Sequence, residues 1–247
     1  MWVDINTHLE LMSSPPEQVL EEAGSVGVNF IATGTHPDQW SWIEGRAPYL
    51  AFGLHPHYLN RQCEWLSVLE ALLTRHHQSA IGEVGLDFRP GMASKACQIQ
   101  AFESQLALAQ SLDRSVIIHA VKSHHEVINS LKRLKCERFV IHAFTGSRAI
   151  ASAYLSLGGY LSAGGLITRA PRPRVVSVFQ SIPKERILLE TDAPDLPIVG
   201  EQEGSPAHLP LVGRALSQEL GLSERALQQL CNQNAQNLFD YDFSQSN

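Results

Sequence analysis

The hydrophobic positions fall into short runs that alternate along the chain with longer segments of mixed hydrophobic and polar residues. The runs predict β-strands near residues 2–5, 28–33, 49–53, 79–84, 115–119, 138–142, 159–163 and 186–190. A first helix is predicted to begin with Ser14 as its N-terminal cap and to end around residues 24–27. Further helices are predicted near residues 38–45, 61–77, 95–112, 123–134, 147–157, 171–181, 207–219 and 223–238.

The order of these elements decides between α/β architectures. Alternating strands and helices are typical of parallel strands joined by crossover helices. The sequence contains no internal repeat and no Pro-, Gly- or Ser-rich linker, so residues 1–247 are predicted to form a single domain. Repeated β–α units in one undivided chain favour an α/β fold of the TIM-type (β/α)8 barrel class over an open doubly wound sheet.

Several of the predicted strands end in residues that can bind a metal ion or transfer a proton. These residues are Asp4 and His8, Glu83 and Asp87, His119, His142, and Glu190 and Asp192. In a barrel of parallel strands the C-terminal ends share one face, where active sites lie. We therefore expect one functional site that is assembled from several strand ends.

Glu83 is the centre of this pattern, because it lies inside the hydrophobic run AIGEVGLDF at residues 80–88. A buried, ionised carboxylate costs several kcal/mol unless it is paired or bound to a cation. One histidine at the end of a hydrophobic run is more often a hydrogen-bonded core residue than a ligand. His119 and His142 together, with Glu83 and Asp192, favour a metal site.

This donor set indicates a reaction class. Mixed histidine and carboxylate ligands suit magnesium, manganese or zinc. Such an ion lowers the pKa of a coordinated water to near neutrality. The pattern therefore predicts metal-assisted hydrolysis, with Asp192 as a ligand or as the general base.

Two further motifs are weaker. Asp4, Asn6 and His8 alternate along the first strand and are expected to face one cavity, although a capping Asp and a surface His explain the pattern equally well. His55 and His57 flank a proline after the third strand and can donate hydrogen bonds to an anion. Hydrogen bonding to the backbone is the alternative for both turn histidines.

Composition narrows the function classes. The 25 acidic and 19 basic residues give a formal net charge of −6, which argues against a broad basic binding face. The four cysteines, Cys63, Cys97, Cys136 and Cys231, form no C-x-x-C pair and are expected to be reduced. We expect a cytoplasmic protein without a membrane span, because no hydrophobic run approaches about 18 residues. The sequence also lacks a G-x-S-x-G elbow and a phosphate-binding P-loop.

With these motifs in view, the chain resembles the TatD family of metal-dependent deoxyribonucleases, which are amidohydrolase-like TIM barrels. The ordered motifs that carry the resemblance include GLHPH at 53–57, AIGEVGLDF at 80–88, IIHA at 117–120, IHAFTGS at 141–147 and LLETDAPDL at 188–196. The resemblance implies that one or two divalent ions are held by Glu83, His119, His142 and Asp192. It also implies that His55 and His57 lie near the substrate phosphate.

The chain departs from the family pattern at three places. Asn6 replaces the first histidine of the family's H-x-H in the first strand, and His8 matches the second. Val121 stands where the family's H-x-R motif has arginine, and Ser205 stands where its N-E-P motif has glutamate. Loss of one imidazole should weaken one metal position, although the Asn6 carbonyl can still bind a hard ion. Lys122 and Arg148 are candidates to replace the missing arginine.

Together these observations predict a divalent-metal-dependent DNA hydrolase, acting as a 3′-to-5′ exodeoxyribonuclease that prefers single strands. Glu83, His119 and His142 are expected to hold the principal ion, and His8 with Asn6 a second. Asp192 is expected to accept a proton from the attacking water. Magnesium is the expected ion, with manganese or zinc as alternatives. Two other functions remain open, namely hydrolysis of a small-molecule ester or amide and binding without catalysis by a weakened homologue.

Overall fold

The computed structural model describes residues 1–61, 64–169 and 173–243. Its strands are β1 (Trp2–Thr7), β2 (Val28–Gly34), β3 (Tyr49–Phe52), β4 (Ala80–Asp87), β5 (Val116–Val121), β6 (Phe139–Ile141), β7 (Tyr160–Ala163) and β8 (Ile187–Leu189). Its helices are α1 (Pro16–Ser25), α2 (Pro37–Ile43), α3 (Trp65–Arg75), α4 (Lys95–Ser111), α5 (His124–Leu134), α6 (Arg148–Leu155), α7 (Pro173–Ser181), α8 (Leu209–Leu220) and α9 (Glu224–Phe239). Short 3₁₀ helices at Leu9–Leu11, Pro56–Arg61, Gly165–Thr168, Lys184–Arg186 and Pro206–His208 connect some of these elements.

The strands form one parallel sheet in which each strand pairs with the next in sequence, from β1 to β8. The sheet returns on itself where Thr7 bridges Ala193 in parallel. At this closure the His8 N–H donates to the Ala193 carbonyl at 2.7 Å, and the Asp192 N–H donates to the Asn6 carbonyl at 3.1 Å. The predicted TIM-type barrel is therefore confirmed, and its closure brings the end of β1 beside the segment after β8.

Hydrophobic side chains pack in two layers. Most of the larger layer lies between the strands and the surrounding helices and includes Phe102, Phe139 and Phe179. The smaller layer fills the barrel and includes Ile5, Ile117 and Leu188. It continues into the end of α9 and the segment after it, where the Tyr241 hydroxyl donates to the Leu50 carbonyl at 2.7 Å.

This arrangement covers the N-terminal ends of the strands with hydrophobic residues. The covering side chains, from α9 and the segment after it, are Ala235, Leu238, Phe239, Tyr241 and Phe243. The covered strand residues include Tyr49, Ala80 and Tyr160, each the first residue of its strand. The barrel interior is thus closed at this end by the C-terminal part of the chain, and the site lies at the opposite end.

Element boundaries differ from the predictions in a few places. The predicted cap Ser14 is wrong, because α1 begins one residue later and Pro15 is its N-cap. The Pro15 carbonyl accepts from the N–H groups of Gln18 and Val19, at 3.0 and 3.1 Å. The predicted helix at 61–77 is shorter, and its residues 62 and 63 lie outside the described residues, as do residues 171 and 172 of the predicted helix at 171–181.

The described cysteines are free thiols. Cys136 and Cys231 are buried and Cys97 is exposed, while Cys63 lies outside the described residues. Among the residues that the structure describes, no helix has both the length and the hydrophobicity needed to cross a bilayer.

The predicted alternation along β1 is wrong for Asp4. Asp4 alternates with Val3 and Ile5, which face the barrel interior, so its carboxylate lies on the other side of the strand. There the Asp4 carboxylate accepts hydrogen bonds from the backbone and the hydroxyl of Thr191, which follows β8. The pairing of β1 with β2 shifts between Asp4 and Thr7, and Asn6, two residues beyond Asp4, contacts Glu83 and Asp192 at the site. Asp4 therefore ties the two ends of the sheet together rather than joining the site.

A similar irregularity turns Glu83 inward. The pairing of β4 with β5 shifts between Ile81 and Val84, and both of these side chains belong to the outer layer. Gly85 lies immediately after this shift, with a φ of +149°. A Cβ atom at Gly85 would lie 2.0 Å from the carbonyl oxygen of His119, so only glycine allows the two strands to approach here.

Candidate metal centre

The Glu83 carboxylate lies at the centre of the site, and its side chain is 3% exposed. Its Oε1 atom is 2.8 Å from His119 Nδ1, 3.0 Å from His142 Nε2 and 3.3 Å from His55 Nε2. Ligand atoms from His55, Glu83 and His119 lie within 4.8 Å of one another, close enough to share one ion. Three predicted site histidines thus converge on one oxygen of Glu83.

The other carboxylate oxygen faces a second group. His8 Nε2 lies 3.3 Å from Glu83 Oε2 and 3.4 Å from Asp192 Oδ1. These three side chains also have ligand atoms within 4.8 Å of one another. His8 Nδ1 lies 3.1 Å from the Thr33 carbonyl. Because a carbonyl oxygen only accepts, Nδ1 must carry a proton there. In the neutral ring, the lone pair is then on Nε2, which faces the two carboxylates. Glu83 is therefore shared between two candidate ion positions.

Asn6 lies between the carboxylates of the second group. Its Nδ2 atom donates to Glu83 Oε2 at 3.0 Å and to Asp192 Oδ1 at 2.9 Å. Its Oδ1 atom is buried and has no hydrogen-bond partner among the described residues. Asn6 thus presents its donor, and not the acceptor expected of a ligand, to the carboxylates. Its predicted role as a ligand requires the amide to turn over, and that role stays a prediction.

The electrostatics of these residues suit a divalent cation. Burial alone would raise the pKa of Glu83, but the positive charge of His142 and hydrogen bonds from His119, His142 and His55 lower it well below its usual value. Burial lowers the pKa of His8, but hydrogen bonds to Asp192 and Glu83 raise it well above its usual value. Without an ion, protons on histidines such as His8 would balance the carboxylates; a divalent cation would replace these protons and bind the neutral rings.

His119 is oriented by a second carboxylate, Asp87, which follows Glu83 on β4. The Oδ2 atom of Asp87 lies 3.3 Å from His119 Nε2. An N–H on Nε2 leaves the Nδ1 lone pair directed at Glu83 and His142, as is usual for a histidine ligand whose outer nitrogen donates to a carboxylate. Asp87 was predicted only as a strand-end acid without a specific role, although its position after Glu83 in the same hydrophobic run was the available signal.

Glu190 is a second residue whose role the sequence did not show. Its side chain is fully buried, its Oε1 accepts from the Ala143 N–H, and the same oxygen lies 3.6 Å from His142 Nδ1. Burial raises the pKa of Glu190, and this effect exceeds the lowering by its hydrogen bond to His142. Glu190 lies two residues after Leu188, which faces the barrel interior, and this alternation was the available signal for it.

A cavity of about 330 Å³ opens above these side chains. It is lined by His8, Leu11, Thr35, His55, His57, Tyr58, Glu83, Arg89, His119, His142, Asp192 and Asp195. Both turn histidines are therefore on its wall, His55 partly buried and His57 exposed. Within the described part of the chain, Lys122 and Arg148 are not on this wall, so the cavity gives neither of them support as the replacement for the missing arginine.

The other departures also have places in the structure. Val121 pairs in register with Asp87, at the edge of the site. The Ser205 hydroxyl accepts from the Ala207 N–H at 3.2 Å and so caps the short helix at Pro206–His208. Ser205 thus has a structural role.

Comparisons with known proteins agree with this geometry. Residues 3–240 match the family described as TatD related DNase. The chain is 32% identical over 258 residues to the 3′-5′ ssDNA/RNA exonuclease TatD of Edwardsiella piscicida, covering 96% of this chain and 98% of that protein. It is also 32% identical over 217 residues, 83% of each chain, to the uncharacterized metal-dependent hydrolase YjjV of Escherichia coli K12. The crystal structure of YjjV, a TatD homologue, superposes with a TM-score of 0.89 at 28% identity and 98% coverage of both chains.

Proposed function

Because the chain belongs to the TatD family of metal-dependent hydrolases, we propose that it hydrolyses phosphodiester bonds of single-stranded DNA from the 3′ end, with magnesium as its ion. The observation that carries this proposal is the convergence of four histidines and Asn6 on the two oxygens of Glu83, below an open cavity. The relative from Edwardsiella piscicida that is named as a 3′-5′ ssDNA/RNA exonuclease matches nearly the whole chain. That name supports the substrate class and the polarity.

Glu83, His119 and His142 are the proposed ligands of the principal ion. Asp87 supports this role of His119, because it accepts from the outer ring nitrogen and leaves Nδ1 free to ligate. His8 and Asp192, with the second oxygen of Glu83, form the proposed second position. A divalent ion bound here would act as a Lewis acid toward a phosphate oxygen and would acidify the attacking water. Manganese and zinc are the alternatives, because imidazole ligands suit zinc as well.

Asp192 is the proposed acceptor of the proton from the attacking water. Its Oδ1 atom accepts from Asn6 and lies near His8, which fixes the carboxylate. Asp192 lines the cavity, and its Oδ2 atom makes no hydrogen bond to the described residues, so this oxygen can take a proton. General-base catalysis requires such an acceptor within hydrogen-bond reach of the water.

His55 is a better hydrogen-bond donor than ligand in this geometry, which supports its proposed contact with the phosphate. Its Nδ1 atom accepts from the backbone N–H of His57 at 3.2 Å, so the proton of the neutral ring is on Nε2. Burial lowers the pKa of His55 to about 4, and the nearby His119 adds to this effect. His55 therefore stays neutral near pH 7 and can donate from Nε2 to a phosphate oxygen. The exposed His57, at the rim of the same cavity, is its proposed partner.

The proposed location is the cytoplasm, where thiols are kept reduced. Cys97, Cys136 and Cys231 are free, which agrees with such a compartment.

Digestion of end-labelled DNA tests the substrate and the polarity. Metal-stripped protein is incubated with single- and double-stranded DNA, labelled at either the 3′ or the 5′ end, with magnesium, manganese or zinc added back. We expect a ladder of shortened 5′-labelled single strands and immediate release of the 3′ label as mononucleotide. Shortening from the 5′ end would contradict the polarity. Absence of cleavage together with hydrolysis of model esters would favour a small-molecule hydrolase.

A further inference from the structure

Arg89 differs from every other residue on the cavity wall. It follows β4, lines the cavity above the centre, and its side chain is 51% exposed. Among the lining residues in the described ranges, it is the only lysine or arginine, whereas Glu83, Asp192 and Asp195 are acidic. The formal charge of the whole chain is −6. A polyanion approaching this cavity therefore meets one permanent positive charge.

Asp87 fixes the position of this charge. The Arg89 Nε atom donates to Asp87 Oδ1 at 3.0 Å and to Oδ2 at 2.8 Å, and Nη2 donates to Oδ2 as well. The Arg89 backbone N–H adds a bond to Oδ1 at 3.0 Å. Asp87 itself is fully buried, so the guanidinium is held against a rigid support. The Nη1 atom donates to no residue in the described part of the chain and can bind an anion at little entropic cost.

Arg89 is also close to the centre. The Asp87 oxygen that accepts from Arg89 lies 3.3 Å from His119 Nε2. The other ring nitrogen of His119 lies 2.8 Å from Glu83. Three direct contacts thus join the guanidinium to the central carboxylate, which puts Arg89 at the edge of the site, beyond the position of the ions.

The strand register relates Arg89 to the missing arginine. Asp87 pairs with Val121 on the neighbouring strand, and Arg89 lies two residues beyond Asp87. The Arg89 side chain, from the segment after β4, therefore contacts the residue that pairs with Val121. Lys122 and Arg148, the other candidates, are exposed and lie off the cavity wall in the described structure.

We propose that Arg89 binds the phosphate adjacent to the scissile one, through Nη1, and that the site therefore selects chains of nucleotides over isolated phosphodiesters. This inference rests on the proposed nuclease function. Bound ions would neutralise the scissile phosphate, whereas the adjacent phosphate would meet no lysine or arginine other than Arg89 on the described cavity wall. A guanidinium held by a carboxylate on one edge offers its other edge to this second anion.

The first test measures binding without cleavage. A fluorescent phosphorothioate oligo(dT), which resists hydrolysis, is titrated with manganese-loaded protein over a series of salt concentrations. We expect Arg89→Met to weaken binding about 10-fold and to reduce the slope of log affinity against log salt by about 1. Arg89→Lys keeps the charge and loses the paired geometry, so we expect an intermediate loss. Arg148→Met removes the same charge off the cavity wall and serves as the control.

The second test compares two substrates. Bis(p-nitrophenyl) phosphate has a single phosphodiester and no adjacent phosphate. Arg89→Met should lower kcat/KM for oligo(dT) about 10-fold more than for this small diester, mainly through KM. Arg89→Met leaves the buried Asp87 carboxylate without its arginine partner, so thermal melting of each variant checks that the protein is still folded. If Arg89→Met is unstable, the same comparison is made with Arg89→Lys.

The outcomes separate this inference from the proposed function. Equal losses on both substrates, unchanged oligo(dT) binding in Arg89→Met, or an equal loss in Arg148→Met would overturn the role of Arg89. Wild-type protein that cleaves neither substrate with any metal would refute the proposed function, while the binding titration would still decide whether Arg89 contacts a phosphate.

Discussion

Replacing Asn6 with alanine tests how the centre is held together without an ion. The side chain donates to Glu83 at 3.0 Å and to Asp192 at 2.9 Å. Hydrogen bonds to charged groups contribute about 1.5–3 kcal/mol each, so their loss costs about 3–6 kcal/mol. The substitution also removes the buried, unpartnered Oδ1 atom, which returns about 1–3 kcal/mol. Taking the middle of each of these two ranges, we expect Asn6→Ala to lower the free energy of unfolding of metal-free protein by about 2.5 kcal/mol.

Adding the ion should change this cost. A divalent cation between Glu83 and Asp192 attracts both carboxylates and takes over the cross-link that the Asn6 amide makes. We therefore expect the destabilisation by Asn6→Ala to fall below about 1 kcal/mol at saturating magnesium or manganese, since one neutral hydrogen bond is then the most that is lost. The assay is urea unfolding of both proteins in chelator and in excess ion.

Asn234 provides a matched control. Its Nδ2 atom also donates two buried hydrogen bonds, to the carbonyls of Lys184 at 2.9 Å and Ile187 at 2.8 Å, but at the opposite end of the barrel. Asn234→Ala should cost about 1–3 kcal/mol for two neutral bonds, with or without the ion. A destabilisation by Asn6→Ala that does not change with the ion would refute the cross-link. A destabilisation that grows with the ion would identify Asn6 as a ligand.

Other features of the fold lead to three further predictions. Gly85→Ala brings a Cβ atom to 2.0 Å from a carbonyl oxygen of the next strand, and we expect a loss of about 3 kcal/mol or more in urea unfolding. Thr191→Val removes the hydroxyl that donates to buried Asp4, and should lower the unfolding free energy by about 1.5–3 kcal/mol; an unchanged midpoint would show that this link is dispensable. Burial lowers the pKa of His124 below 6.5, so the unfolded chain binds more protons and stability falls as the pH drops through 6.5. His124→Gln should therefore lose less stability than wild type between pH 7.5 and pH 5.5, as measured by urea unfolding. An equal loss of unfolding free energy in wild type and His124→Gln would contradict this.

The order of elements was predictable from the sequence because hydrophobic runs and helical segments alternate strongly. His119 and His142 follow runs with regular alternation, so strand geometry alone directs them into the barrel. The resemblance to the TatD family was likewise confirmed.

Three features depended on tertiary structure. Asp4 points away from the site and Glu83 points into it because the strand pairing shifts beside each of them, and register shifts leave no periodic signal. The hydrophobic cover that Tyr241 and its neighbours form over the N-terminal end of the barrel depends on a contact with Leu50 of β3. Leu50 lies nearly two hundred residues earlier, so no local sequence pattern shows this contact. Arg89 likewise reaches the cavity wall through its bonds to Asp87, whose burial could not be read from the sequence.

The most direct test of the central claim compares wild type with Glu83→Ala for metal binding and DNA cleavage. Glu83 is shared by both candidate ion positions, so its loss should abolish both. Glu224→Ala, which removes an exposed carboxylate paired with Arg214 on the surface, is the control. We predict that wild type and Glu224→Ala retain metal by elemental analysis and shorten single-stranded DNA when magnesium or manganese is added back, and that folded Glu83→Ala does neither. Full metal-dependent cleavage by Glu83→Ala would contradict the account.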